Sequence, residues 1–375
     1  MTIVFILFFF LYFLFLGLMI YAWNRDLTDP TIHQRSDQRN VSIVIAARNE
    51  CQSIGRLLED IRLQSHPNFK AIIVDDHSTD GTAEVVRNFT ARDSRFSVVC
   101  NRGEGKKSAL TTGIKLSGEE IIVSTDADCR VETQWLQSMI APFRHTETKF
   151  VFGGVKIEGH SFFSKLQSHE FLSLIGTAAA TLWWGFPSMC NGANLAFRKS
   201  VFLEVGGYEN NFHIPSGDDE FLMHKIHHLY RSGVFFVPDK QAIVRTSAIG
   251  PREFIHQRIR WAGKWSHNLS MWNVMLAMFI FLFQVSIILL PVVAITGFID
   301  PYLASGLLFA KAAIECMLLR KIARFSAITW NWTAFFTLQI IYPLYAVSIA
   351  IISGWFSFDW KGRSLKSFTI STVKK

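Results

Sequence analysis

"KAIIVDDHSTDGTAEVVRNF", residues 70–89, decides the fold. Its apolar, β-branched run reads as a strand that ends on two aspartates, Asp75 and Asp76. A polar turn follows and enters a helix. The same unit recurs on either side. Upstream, "VSIVIA" (41–46) is a strand ended by the polar "ARNE" (47–50), and Ile54, Leu57, Leu58 and Ile61 then follow at helical spacing. Downstream come the strand "FSVVC" (96–100), the helix "KKSALTTGIKL" (106–116) and the strand "EIIVSTDAD" (120–128). Strands alternating with helices predict an α/β domain with a mainly parallel sheet and right-handed crossovers.

In such sheets a ligand binds beyond the carboxyl ends of the strands. The polar clusters fall at those ends: Arg48, Asn49 and Glu50; Asp75 and Asp76; Asp126 and Asp128. Any one of them alone is an ordinary turn former. Three on one rim argue for a shared site.

The chain has 375 residues, half of them hydrophobic, with 34 phenylalanines. Residues 3–23 carry no charge and are long enough to cross a hydrocarbon core of about 30 Å. They lack a basic leader and a small-residue cleavage site, which favours a retained anchor over a signal peptide. Residues 273–299 form a second uncharged run. Residues 302–319 form a weaker third one because it carries Lys311 and Glu315, which lie four apart and can pair on one helix face. Residues 325–358 are uncharged and too long for one span, so their tryptophan-rich ends belong at the interface.

The organisation expected is an anchor (1–24), a soluble domain (40–250), an interfacial helix (251–271), about three C-terminal membrane helices (272–358) and a basic tail (359–375). Net charge is +8, from 38 basic and 30 acidic residues. Positive-inside bias and attraction to anionic lipid account for most of it, and nucleic acid is not an expected partner. The cysteines at 51, 100, 129, 190 and 316 show no CxxC pairing, which favours a reduced, cytoplasm-facing domain over a disulfide framework or a zinc site.

"STDADC" (124–129) sets Asp126 and Asp128 two apart in an extended segment, so both carboxylates can point one way. Such a pair suits a hard divalent cation that also binds phosphate oxygens. "VSIVIAARNE", "VDDHSTDGT", "GKKSALTTGI", "STDAD", "SGDDEF" and "QRIRW" stand in the order seen in family 2 glycosyltransferases, and the chain resembles that family over residues 41–265. It is similar to membrane-bound members of the ceramide glucosyltransferase and polysaccharide synthase kinds.

The resemblance implies a Rossmann-like GT-A fold, a nucleotide-sugar donor, Mg²⁺ or Mn²⁺, and hexosyl transfer with inversion. By the same resemblance, Ala47, Arg48 and Glu50 form the first nucleotide-contacting loop, and Asp75 and Asp76 lie near base and ribose. Lys106 or Lys107 stands near the donor phosphates. Asp126 and Asp128 form the DxD, with Asp128 the direct metal contact. Ala46 departs from the family pattern, where many members have proline.

Transfer also needs a base for the acceptor hydroxyl. Asp218, Asp219 and Glu220 open a helix, where first-turn acids are favoured by the dipole in any case. The family pattern makes Asp219 the base, with Asp218 the alternative. "NGANLAFRKSVFLEVGGY" (191–208) looks like the acceptor-side segment, with Asn191 and Asn194 as weaker candidates. The apolar stretch before it, 162–186, reads either as an interfacial helix beside the acceptor entrance or as a buried domain helix.

In "FIHQRIRWAGKW" (254–265), Gln257, Arg260 and Trp261 fit the family's QxxRW and share a helix face. Arginine there would hold the departing diphosphate and tryptophan would face the acceptor. Arg252, Arg258, Lys264 and Trp265 read as an interfacial collar, so Arg258→Ala is expected to cost little.

The expected function is transfer from a nucleotide sugar, UDP-linked by family frequency with GDP open, to a membrane lipid or lipid-linked acceptor. The protein would be integral to a plasma or inner membrane, its catalytic domain cytoplasmic. A processive polysaccharide synthase is the alternative within the family. A membrane nucleotidyltransferase or a nucleotide-sensing transporter is the alternative outside it. One tension is topological: with three C-terminal spans the tail would lie outside, against its positive charge, so either one run, such as 302–319, is re-entrant or interfacial, or the tail is an exception.

Overall fold

The first strand begins at Val41, where the chain turns β-branched, and each later apolar run of that kind also becomes a strand. The computed structural model describes residues 2–25, 38–209, 211–212, 216–263, 270–353, 358–360 and 363–365. In chain order, α1 (Thr2–Arg25) precedes β1 (Val41–Ala47), α2 (Ile54–Arg62), β2 (Phe69–Asp75), α3 (Thr82–Thr90), β3 (Phe96–Cys100), α4 (Lys106–Leu116) and β4 (Ile121–Ser124). Next come α5 (Trp135–Ile140), β5 (Phe150–Gly153), β6 (Val155–Glu158), α6 (Phe162–Trp183), β7 (Leu195–Arg198), α7 (Lys199–Glu204) and α8 (Asp218–Leu229). Strands β8 (Val234–Val237) and β9 (Val244–Ser247) lead to α9 (Pro251–Gly263). The chain then runs through α10 (Met271–Ile295), α11 (Pro301–Phe325) and α12 (Trp332–Ser353) to a short hairpin, β10 (Phe358–Trp360) and β11 (Arg363–Leu365).

The main sheet has seven strands in the order β3-β2-β1-β4-β7-β5-β8. β3, β2, β1 and β4 are mutually parallel, as the alternating pattern predicts. β7 runs antiparallel to both β4 and β5, and β8 is parallel to β5. The result is a mixed α/β sheet, mostly parallel.

Register explains the polar rim. Ala47 pairs with Asp75, and Asp75 with Cys100, so β1, β2 and β3 finish level. Asn49 and His77, just past β1 and β2, have φ of 53° and 58°. These left-handed turns break the strands sharply, and asparagine tolerates that conformation better than most residues. α4 lies close on the sheet: a Cβ on Gly113 would stand 2.5 Å from Val44 Cγ1. Only glycine fits there without displacing the helix.

Among the described residues, four helices are long and apolar enough to cross a membrane: α1, α10, α11 and α12. α11 is continuous through the run that read as weakest, and the two charges within that run are matched. Lys311 Nζ and Glu315 Oε2 lie 2.9 Å apart, as the spacing predicts. Gln339 of α12 bonds both partners, and the Tyr12 hydroxyl of α1 donates to Glu315 Oε1 at 2.6 Å. Tyr12 also stacks on Phe283 of α10 at 3.7 Å.

α6 packs against α1, α11 and α12 on one side and against the domain on the other. A Cβ on Gly176 of α6 would meet Ile322 of α11 at 2.5 Å, and the Trp23 indole of α1 donates to the Gly176 carbonyl at 3.3 Å. α12 touches the domain side at both ends. The amide of Asn331, just before it, donates to His169 Nε2 of α6 at 3.0 Å, and the Ser353 carbonyl lies beside Gly263 of α9. The proposed collar residues Lys264 and Trp265, and most of the basic tail, lie outside the described residues.

Candidate active site

A cavity of about 610 Å³ opens at the carboxyl rim of the sheet. Ala47, Arg48 and Glu50 enter it from the end of β1, and Asp76 from the end of β2. Lys106 and Lys107 come from the start of α4, and Asp126 and Asp128 from the loop after β4. Asp218, Asp219 and Glu220 come from the start of α8, and Gln257, Arg260 and Trp261 from α9. Of the residues expected to bind donor, metal or diphosphate or to act as base, all but Asp75 line this one cavity.

Asp75 and Asp76 separate because successive strand residues face opposite ways. Asp76 is held by its surroundings. Its carboxylate accepts from Gly105 N at 3.0 Å and Asn101 Nδ2 at 2.8 Å, and its carbonyl accepts from Arg48 Nη1 at 2.8 Å. Asp75 sits behind it, 8% exposed, with Oδ1 buried and bonded to no protein donor.

The two lysines also divide, since neighbours on a helix point about 100° apart. Lys106 Nζ lies 2.7 Å from Asp126 Oδ1 and 3.3 Å from Asp218 Oδ2, bridging the DxD to the acids of α8. Burial acts to lower the pKa of Lys106, but Asp126, Asp218 and Asp219 outweigh it and hold the ammonium well above its ordinary value. Burial likewise acts to raise Asp218, yet Lys106 and Lys107 pull it below the usual carboxylate range. Lys107 reaches elsewhere, donating to the carbonyls of Asn211 at 2.6 Å and Ser216 at 3.3 Å, and so holds those two residues ahead of α8.

Asp219 is aimed by the backbone. Its Oδ2 accepts from Gly192 N at 2.7 Å and its Oδ1 from Glu220 N at 2.8 Å. Gly217 before it takes φ 78°, a turn that brings the acids of α8 to the cavity. The 191–194 segment divides as well. Asn191 lines the cavity, whereas Asn194 is buried in the core, bonded to Trp135, Gly154 and Ala242.

Among the described residues, no group of three or more His, Cys, Asp or Glu could hold a metal unaided. Asp126 and Asp128 nevertheless fit a divalent cation that takes its remaining ligands from a diphosphate. The ammonium of Lys106 against Asp126 marks the place as one that draws positive charge.

Arg258 is not a collar residue. It is buried, 5% exposed, and its guanidinium binds Glu170 of α6 through Nε–Oε1 at 3.0 Å and Nη2–Oε2 at 2.5 Å. A guanidinium cannot lose its charge, so an arginine turned inward takes a carboxylate with it. Sequence reading also missed the apolar wall that α6 gives the cavity: Phe171, Leu174, Ile175 and Ala178. The stretch that read as either interfacial or buried has one face on the cavity and another on the candidate membrane helices. A signal was present in Glu170 itself, an acid in a mostly apolar helix, which requires a partner.

The family model described as "Glycosyl transferase family 2" matches residues 42–206. Over those residues the chain is similar to family 2 glycosyltransferases. It is 29% identical over 191 residues to the glycosyltransferase AglE of Haloferax volcanii, covering 48% of this chain and 58% of that protein. It is 27% identical over 192 residues to a poly-β-1,6-N-acetyl-D-glucosamine synthase of Staphylococcus epidermidis, covering 50% and 46%. The chain thus spans about half the length of the curated relatives it matches. Among solved structures, the mannosyltransferase PcManGT from Pyrobaculum calidifontis, in complex with GDP-Man and Mn²⁺, is 18% identical with a TM-score of 0.55. That likeness covers 94% of this chain and 96% of the other, and it concerns the fold. The matched stretch runs from β1 through β7, so the DxD lies within it, while the acids of α8 and the arginines of α9 lie beyond its end.

Proposed function

We propose that the protein transfers a sugar, with inversion at the anomeric carbon, from a nucleotide sugar to a hydroxyl of a membrane lipid or lipid-linked saccharide. One observation carries this reading. A single cavity is charged on one side, with Lys106, Asp126, Asp128, Asp219 and Arg260, and apolar on the other, where α6 rests on the candidate membrane helices.

In this reading Ala47, Arg48 and Glu50 hold the nucleoside together with Asp76, while Asp75 stands behind Asp76, outside the cavity lining. Asp126 and Asp128 would hold Mg²⁺ or Mn²⁺, which neutralises diphosphate charge when bound. Lys106 and Arg260 supply positive charge from the protein itself. Asp219 takes the proton of the acceptor hydroxyl as that oxygen bonds to the anomeric carbon. The bond from that carbon to the diphosphate breaks, and its electron pair leaves with the nucleoside diphosphate. Asp218, engaged with Lys106, is the alternative base.

The basic residues Arg25, Arg320, Lys321 and Arg324 lie at the domain ends of α1 and α11. By the positive-inside tendency this supports a cytoplasmic domain in a plasma or inner membrane. UDP is the first donor to test. GDP belongs beside it, because the Pyrobaculum calidifontis mannosyltransferase of similar fold was solved with GDP-Man. The staphylococcal relatives favour a second outcome, a processive synthase.

The test is incubation of membranes holding the full chain with labelled UDP- and GDP-sugars plus Mg²⁺ or Mn²⁺. Free nucleoside diphosphate with label in the lipid fraction is expected. Long polymer would mark a processive synthase and pyrophosphate a nucleotidyltransferase. Nucleotide binding without turnover would mark a sensor.

A further inference from the structure

Arg258 does not line the cavity, yet it touches two residues that do. Its Nη1 donates to Gln257 Oε1 at 2.6 Å, and its guanidinium lies 4.3 Å from the ring centre of Trp261. On its other side is Phe254, at 4.4 Å. Two further contacts go to Glu170, which is itself 7% exposed. The residue after Glu170, Phe171, packs on Trp261 and also lines the cavity. Tyr345 of α12 stacks on Phe254 from outside. One buried guanidinium therefore ties α6 to α9 and to two residues of the cavity wall.

Packing alone does not require such a pair, because well-packed apolar residues often replace a buried ion pair at no cost in stability. What a bidentate pair adds is a fixed angle. We infer that Glu170 and Arg258 are positioning residues for sugar transfer, holding α9 so that Gln257 and Trp261 face the reacting groups. The inference rests on the transferase reading above.

The test uses the full chain in nanodiscs, with Arg258→Lys, Glu170→Gln and the double variant Glu170→Met/Arg258→Met. The lysine keeps the charge and loses the fork, and the methionines keep the volume. Each variant is expected to lose at least tenfold in kcat, with donor KM and the binding of UDP or GDP with Mn²⁺ within twofold of the parent. Hydrogen exchange over residues 251–263 is expected to quicken at least threefold while the double variant keeps its thermal midpoint. Turnover within twofold of the parent in the folded double variant, or unchanged exchange in α9, overturns the inference. If the parent itself transfers no sugar from any donor, the transferase reading fails, while the exchange measurement still decides whether the pair orders α9.

Discussion

Replacing Asp219 with asparagine separates chemistry from architecture, provided both costs are counted. The carboxylate accepts two backbone N–H groups, from Gly192 at 2.7 Å and from Glu220 at 2.8 Å. Asparagine has one carbonyl oxygen, so either rotamer turns its amide nitrogen toward one of those donors. A donor left unmatched costs about 1–3 kcal/mol of stability. Loss of a general base costs about 10²–10⁴-fold in rate, or roughly 3–5 kcal/mol of transition-state stabilisation.

Asp219→Asn should therefore melt a few degrees lower, bind nucleotide and Mn²⁺ nearly as well as the parent, and transfer sugar at least a hundredfold more slowly. The assay is label in the lipid fraction per folded protein, with nucleotide binding titrated in parallel. Transfer within tenfold of the parent would remove Asp219 from the role of base. Donor binding lost along with transfer would assign it to the metal or to the fold.

Chelation with EDTA should abolish transfer and Mn²⁺ or Mg²⁺ restore it, with Asp128→Ala needing more metal for half-maximal rate. Arg260→Ala should lower turnover without releasing the protein from membranes, as fractionation would report. The pH dependence follows from the shifts at Lys106 and Asp218. The stabilisation from ionised Asp218 is present above the ordinary carboxylate pKa and is lost as pH falls through its lowered value. That from protonated Lys106 is present below the ordinary lysine value and is lost only as pH rises through its raised value. The thermal midpoints of the parent and Asp218→Asn should thus differ steadily between about pH 5 and pH 9 and converge in stronger acid. Because α12 meets the domain side at both ends, a reporter fused after Lys375 should map to the domain's side of the membrane; the opposite side would make α12 a full crossing.

The rim residues were legible because a parallel sheet sends the ends of alternate elements to one edge, whatever lies between them. Ala47, Arg48, Asp76 and Asp126 needed only strand boundaries. The split between Asp75 and Asp76 was legible in principle from strand alternation, and that between Lys106 and Lys107 from helical pitch. Arg258 was not. Its partner lies 88 positions away on α6, and a basic residue beside two tryptophans looks the same in sequence whether it faces headgroups or a buried acid. Lys311 was the opposite case, since its partner Glu315 lies one helical turn away. Local pairs can be read from spacing, whereas long-range ones need the fold.

α1 has a standing that its position in the chain conceals. Its Tyr12 completes the bonding of Glu315, its Trp23 closes on α6, and Phe9 lies fully buried against Phe283. It is therefore less a tether than a subunit that happens to share the polypeptide. Trimming it to obtain a soluble enzyme would strip Glu315 of one of its three donors and bare the aromatic faces of α10. Severing the chain between α1 and β1 should instead leave two fragments that recognise each other, so that the helix supplied separately restores what its deletion removes.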